Sequence, residues 1–344
     1  MSCPCDTVNM PQRKRIAWLL GAVCLVAAAP ARAQAASPSP ILGLRLLDQR
    51  VATIGFRLAT ANVDLCERRQ WQPGFLVHDL SQYSRAGRAE AITLFKLGEG
   101  PAVLALAQGG PAQRAGLETD DVLAAADGTP LPRPPADAHD SFLPTERILD
   151  VLEAAFSDGR AELAIRRNGR SSNVRIDAVE GCASRFQVIP SRRHEAKADG
   201  RYVQLSSALV EFARDDGELA ALLAHELAHN ILRHRARLTA AGVERGVMAN
   251  FGRSARLFRQ TEMEADRWAV HLMDRAGFDP GAAVRLWNRQ SRSTIAFLRA
   301  GTHPSWGSRI AAMEAEIEAI ALAKARGEQA RPPRIAADAA GRGS

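Results

Sequence analysis

The stretch LLAHELAHNILRH, residues 222–234, constrains the fold more than any other part of the chain. His225 and His229 are four residues apart, so on a helix both imidazoles leave the same face and can take adjacent corners of a tetrahedral zinc. Glu226 lies beside them, where it can act on a water at the metal. The helix is expected to start at Asp215, whose carboxylate can accept a backbone N–H while Glu218 reaches back in a capping box. Leu219, Leu222, Leu223 and Leu227 supply its apolar side. A histidine pair serving only helix packing is the alternative, and a third ligand decides between them.

Such a ligand is offered by RQTEMEADRWAV, residues 259–270. Glu262 and Asp266 are one helical turn apart, so one carboxylate can bind zinc while the other accepts the N–H of a ligand imidazole. Glu264 lies nearby, which leaves open a solvated acidic face. His234 does not extend the motif: an HExxHxxGxxH pattern needs glycine at 232 and histidine at 235, where this chain has Leu232 and Arg235. His234 is therefore expected behind the ligands or at the surface.

HELAH, EMEAD and THPSWGSRI (302–310) together resemble the zinc metallopeptidase family of CAAX prenyl proteases, HtpX and BepA-type enzymes, over about residues 183–320. The resemblance implies an α+β fold, mainly helical with a small sheet, and one Zn2+ per chain. It makes His225, His229 and Glu262 the metal ligands, Glu226 the general base and Asp266 the carboxylate behind a ligand. It also makes His303 a group that stabilises the transition state or covers the metal in a latent form, with Tyr202 a weaker candidate for the former role. Glu195 stands where the family has asparagine, beside an edge strand expected near Tyr202 to Leu205. Polypeptides are the implied substrates.

A second resemblance covers roughly residues 88–180. GGPAQRAGLETDDVLAAADGTPL (109–131) is similar to the core of bacterial PDZ domains, and TERILDVLEAAF supplies a following helix. Asn168-Gly169 between AELAIRR and NVRI marks a hairpin turn. The module's implied partner is a C-terminal peptide, with KLGEG (96–100) as the carboxylate-receiving loop. A β-rich module that binds nothing remains the alternative. The organisation expected is a signal peptide at 1–33, an N-terminal helix and connection at 34–87, the PDZ-like domain at 88–181, the peptidase domain at 182–326 and a disordered tail at 327–344.

Arg13, Lys14 and Arg15 precede the apolar run Ile16 to Ala29, and Ala31-Arg32-Ala33 fits a cleavage site. The run is shorter than the roughly 20 residues that span a bilayer, so export to the periplasm or beyond is expected rather than anchoring. Cleavage leaves Cys66 and Cys182, in an oxidising compartment most simply a disulfide, otherwise two buried thiols. Set beside the family resemblance, these cysteines flank the inserted module, where a disulfide would staple its base. The net charge of +7 forms no basic stripe with interleaved aromatics, which argues against nucleic-acid binding. Two further readings stay open: a latent protease, with His303 or the loop from Gly242 to Arg253 over the metal, and a chaperone or binding protein whose zinc is structural.

Overall fold

The computed structural model describes residues 39–243, 252–292 and 304–334. The expected signal segment, His303 and most of the loop from Gly242 to Arg253 lie outside them. Helix α1 (Pro40–Ala61) places its proline in the first turn, where a missing N–H costs nothing. Its apolar face, recurring at helical spacing, is buried: Val51, Ile54 and Leu58 enter the main core, with Leu47 packed at its margin.

Strand β1 (Arg69–Gln72) leads into a β-rich unit. Its elements are β2 (Phe75–His78), α2 (Arg88–Phe95), β3 (Ala102–Leu106), α3 (Pro111–Arg114), β4 (Val122–Ala126), β5 (Thr129–Pro130), α4 (Leu143–Ala155), β6 (Arg160–Arg167) and β7 (Arg170–Asp177). Strand β8 (Val179–Cys182) leads back. The sheet runs β2-β3-β4-β6-β7 with β5 on β4, every neighbouring pair antiparallel. Asn168 and Gly169 both take positive φ, 53° and 74°, and set Arg167 opposite Arg170 in a two-residue turn. Val103, Leu123, Ile148, Leu163, Ile165 and Ile176 form this unit's own core.

The sheet begins before residue 88, the expected boundary, because β2 is its edge strand. Residues 69–78 hold two four-residue strands split by Pro73-Gly74, too short for a hydrophobic period to declare itself. At the neck β1 pairs with β8, Arg69 opposite Cys182, and a disulfide joins Cys66 to Cys182 with Cα atoms 5.4 Å apart.

The remaining chain forms a helical body around a small sheet of β9 (Arg185–Ile189), β10 (Ala196–Ala198) and β11 (Tyr202–Ser206). Its order is β10-β11-β9, with β10 antiparallel and β9 parallel to β11. Tyr202 to Leu205, expected as an edge strand, is therefore the central strand, and β10 carries the free edge. Asp199-Gly200, a turn-forming pair, lies between β10 and β11, whereas the parallel pairing with β9 is a long-range contact with no local signal.

Helices α5 (Ser207–Phe212), α6 (Asp216–Ile231), α7 (His234–Ala240), α8 (Gly252–Arg275), α9 (Gly281–Arg292) and α10 (Trp306–Ala325) complete the body. Asp215 caps α6 by accepting from Glu218 N–H at 2.8 Å. Glu218 reaches one residue past the capping-box target, accepting from Arg214 N–H at 2.8 Å, and its carboxylate also meets Arg289. Ala220, Ala221, Ala224 and Ala228 are as buried as the leucines. Apolar on all sides, α6 is a core helix, and its alanines let α1, α8 and α9 pack around it.

The expected disordered tail is corrected in part. Trp268 Nε1 donates to Pro333 O at 3.1 Å and Ala330 packs on the main core. A largely buried indole needs an acceptor, and this segment provides it.

The β-rich unit is fastened to the body at several points. Arg45 pairs with Asp120, the Gln49 side chain bonds both the N–H and the C=O of Leu106, and Arg185 reaches Asp150 and Glu153 on α4. The disulfide closes a loop with a sequence separation of 116. Replacing Cys66 and Cys182 by serine is expected to lower stability by about 2–4 kcal/mol through the freer unfolded chain. Chemical denaturation of both forms measures this, and equal midpoints would contradict it.

Candidate metal centre

Helices α6 and α8 pack side by side, and the site is built where their buried faces meet. His225 and His229 project from one face of α6, and Glu262 faces them from α8. His225 Nε2 and His229 Nε2 are 3.2 Å apart, and each lies 3.5 Å from a Glu262 carboxylate oxygen. A tetrahedral zinc with ligands at about 2.0–2.1 Å has ligand–ligand edges of about 3.3–3.4 Å, so the three donors fit such an ion. Among the described residues this is the one group of three or more such side chains placed to hold a metal.

Asp266, one turn beyond Glu262, is fully buried, and its Oδ1 lies 3.0 Å from His225 Nδ1. That contact turns the opposite ring nitrogen of His225 toward the other two donors. Arg309 enters from α10, also fully buried, and holds Asp266 in a two-point grip: Nε to Oδ2 at 2.6 Å and Nη2 to Oδ1 at 2.8 Å. Its Nη2 is also 3.6 Å from Glu262 Oε2, and its guanidinium lies near the Trp287 and Trp306 rings. In the sequence Arg309 stands within THPSWGSRI, and no role was assigned to it there.

The electrostatics suit a cation. Burial opposes a charge on His225, yet Asp266 and Glu262 overcome it and push its pKa up to about 10. Burial pushes His229 well below its ordinary range, so it is the neutral imidazole that metals bind. Glu226 is raised by burial to about 7, with His225 and Arg309 pulling down and Glu262 pushing up.

The three donors and Glu226 line a cleft of about 390 Å³. Ala196, Lys197 and Ala198 of β10 form one side; Leu222, Leu238, Phe258 and Trp287 make much of the rest apolar. Tyr202 is not at this cleft: its hydroxyl accepts from Arg185 Nη1 at 3.1 Å and its ring meets Phe142 edge-on. Its weaker oxyanion candidacy is thereby withdrawn, because β11 points it at the β-rich unit. Glu195 directs its carboxylate to Arg193 at 3.0 Å, while its N–H donates to Ser206 Oγ.

His234 is buried beneath His229, and Glu264 lies behind His234. Of the two places the sequence left open for His234, the structure has the one behind the ligands, and Glu264 faces inward rather than forming part of a solvated acidic face. The KLGEG loop, expected to receive a carboxylate, meets the β6–β7 end through Lys96 with Asn168 and Glu99 with Arg166. Helix α4 packs on β2 and β4.

Residues 184–256 and 245–317 match the model of Peptidase family M48. Together these matches cover less than half of the chain. The mitochondrial metalloendopeptidase OMA1 of Schizosaccharomyces pombe is 34% identical over 139 residues, covering 33% of this chain and 41% of that protein. The same-named protein of Saccharomyces cerevisiae is 30% identical over 187 residues, covering 47% and 51%. A putative beta-barrel assembly-enhancing protease of Vibrio cholerae is 31% identical over 118 residues, covering 26% and 24%. The chain thus spans about half or less of the relatives it matches. The matched residues include His225, Glu226, His229 and Glu262, as well as Asp266 and Arg309.

Replacing Arg309 by methionine leaves Asp266 and Glu262 buried without their guanidinium. Breaking a buried pair in this way costs about 3–5 kcal/mol. Urea unfolding of the metal-free protein measures it, and a change below about 1 kcal/mol would show that the pair is not needed for folding.

Proposed function

We propose that the chain is a zinc-dependent metalloendopeptidase of family M48 that cuts unfolded or envelope polypeptides outside the cytoplasm. The observation that carries the reading is the convergence of His225, His229 and Glu262 in a cleft that also holds Glu226. A purely structural zinc site closes all four positions with protein ligands and needs no neighbouring base. Here three donors meet beside a carboxyl and an open cleft.

When bound, the zinc supplies Lewis acidity, polarising the scissile carbonyl and making water more acidic. Glu226 takes the proton from the attacking water and returns it to the leaving amine, a task suited to a carboxyl whose pKa lies near neutrality. Asp266 and Arg309 keep His225 oriented. No covalent intermediate with the chain is needed. His303 is kept as the proposed oxyanion donor or latency group on the strength of its motif alone.

The free edge of β10 supports an extended substrate. Glu195 O accepts from Ser206 N–H, and Asp199 N–H donates to Tyr202 O. Antiparallel bonding alternates, so the backbone groups of Ala196 and Ala198 face away from β11 and toward the cleft. A polypeptide segment without structure of its own can pair there as an added strand. The basic and apolar N-terminal pattern supports export. No helix among the described residues is long and apolar enough to cross a membrane. The β-rich unit is proposed as a PDZ-like module, with the edge of β2 beside α4 as the place where a peptide C-terminus recruits or regulates.

Glu226→Gln is expected to retain one zinc per chain and lose at least a hundredfold in cleavage of an unfolded protein such as casein. Cleavage at the wild-type rate would remove Glu226 as the base. Glu262→Ala is expected to lose stoichiometric zinc on dialysis, with cleavage lost in parallel. Metal analysis after gel filtration reads this, and full zinc in that variant would strike Glu262 from the ligands.

A further inference from the structure

The two ligand histidines are supported from behind in different ways. His225 meets a carboxylate directly. Behind His229 stands another imidazole: His234 Nδ1 lies 2.9 Å from His229 Nδ1, and the rings cross at 81°. The far nitrogen of His234, Nε2, lies 3.1 Å from Glu264 Oε2. Glu264 also accepts from Arg237 Nη1 at 2.7 Å and from Gln260 Nε2 at 2.9 Å.

Two ring nitrogens at hydrogen-bond distance hold one proton between them, because two protons would clash and two lone pairs would repel. Two arrangements satisfy this contact. In the first, His234 Nδ1 bears the proton and donates to His229; the His229 proton then sits on Nε2, facing His225 Nε2, and occupies the lone pair that a metal needs. In the second, His229 Nδ1 donates to a bare His234 Nδ1, and His229 Nε2 is free to bind. Glu264 selects the second. A carboxylate only accepts, so it draws the His234 proton to Nε2 and leaves Nδ1 bare.

We infer that His234 is a positioning residue for the metal centre: with Glu264 behind it, it fixes the tautomer and ring orientation of His229 before any metal arrives. The inference rests on the reading that His225, His229 and Glu262 hold zinc. The helix break makes it possible. Arg233 takes a left-handed conformation, φ 53°, between α6 and α7, and this turn folds His234 back beneath His229. His234 is 1% exposed, so neither nitrogen has water as a substitute partner.

The test uses the full chain labelled with 15N in histidine, first metal-free and then zinc-loaded, read by long-range 1H–15N NMR; the metal-free spectrum is the one that decides, because zinc on Nε2 would itself send the His229 proton to Nδ1. His229 is expected with its proton on Nδ1 and His234 with its proton on Nε2. A proton on His234 Nδ1 overturns the inference without any variant. Zinc affinity by chelator competition gives a second reading. His234→Leu is expected to weaken binding about 10- to 100-fold, the usual effect of losing a group behind a ligand. His234→Asn, whose Oδ1 can accept from His229, is expected to recover most of that loss. Glu264→Gln is expected to weaken binding by a smaller factor and serves as the variant of record should His234→Leu not fold. A role in packing alone predicts that leucine and asparagine lower thermal stability without moving zinc affinity, and that result overturns the inference. Unchanged affinity in His234→Leu while Glu262→Ala loses zinc overturns it alone. A wild-type chain that binds no zinc overturns the metal-centre reading and this inference with it.

Discussion

Beneath the metal centre, Arg309 grips Asp266 with two hydrogen bonds, both side chains sealed from water. The position of the other site groups depends on that contact. Asp266 and Glu262 lie one turn apart on α8, and Glu226 comes near them from α6, so the helix interface gathers carboxylates where the dielectric is low. Like charges so placed would drive one another to protonate. The guanidinium allows Asp266 to stay ionised and so to orient His225, and its Nη2 also lies 3.6 Å from Glu262 Oε2. Because Arg309 belongs to α10, the metal centre is complete only when a third helix has docked.

The two sides of the centre use different means to the same end. His225 has a charged partner in direct contact, and that charge is balanced within the core by Arg309. His229 lies nearer the cleft, where a carboxylate in direct contact would add a further negative charge beside Glu226 and Glu262. A neutral imidazole there provides orientation and leaves the charge of Glu264 farther out. That charge is held to a pKa of about 2: burial works against it, but the bonds from His234, Arg237 and Gln260 prevail. The asymmetry follows from where each ligand stands relative to the cleft.

How much of this was legible in the sequence depends on the range of the contact. The ligands on α6 and the Glu262–Asp266 pair on α8 lie one turn apart, and helical spacing alone puts each pair on one face. The Asn168-Gly169 turn and the Asp215 cap are equally local. Pairings between distant segments were missed. Strand β9 pairs in parallel with β11, which makes β11 central, and nothing in YVQLS announces that. Residues 327–334 carry little apolar surface of their own, and their order comes from an indole N–H contributed by α8. His234 shows the same limit most plainly. Five residues along a continuous helix is about 140° around its axis, which would turn His234 away from His229. The left-handed turn at Arg233, a residue type with no preference for that conformation, reverses the outcome.

The neck of the β-rich unit bears on how it could influence the site. The β1–β8 ladder and the Cys66–Cys182 disulfide join the unit to the body between α1 and β9, and β9 is the parallel neighbour of β11. Arg185 on β9 and Arg201, next to β11, both reach Asp150 on α4. Helix α4 packs on β2. The same acidic helix holds two arginines at the sheet whose far edge, β10, faces the cleft. Strand β10 is bonded to β11 and packs on α6, and β11 is tied on both sides. The packing therefore favours transmission as a small movement of the whole three-stranded sheet against α6 over a local change at one strand, since closely packed elements shift as bodies.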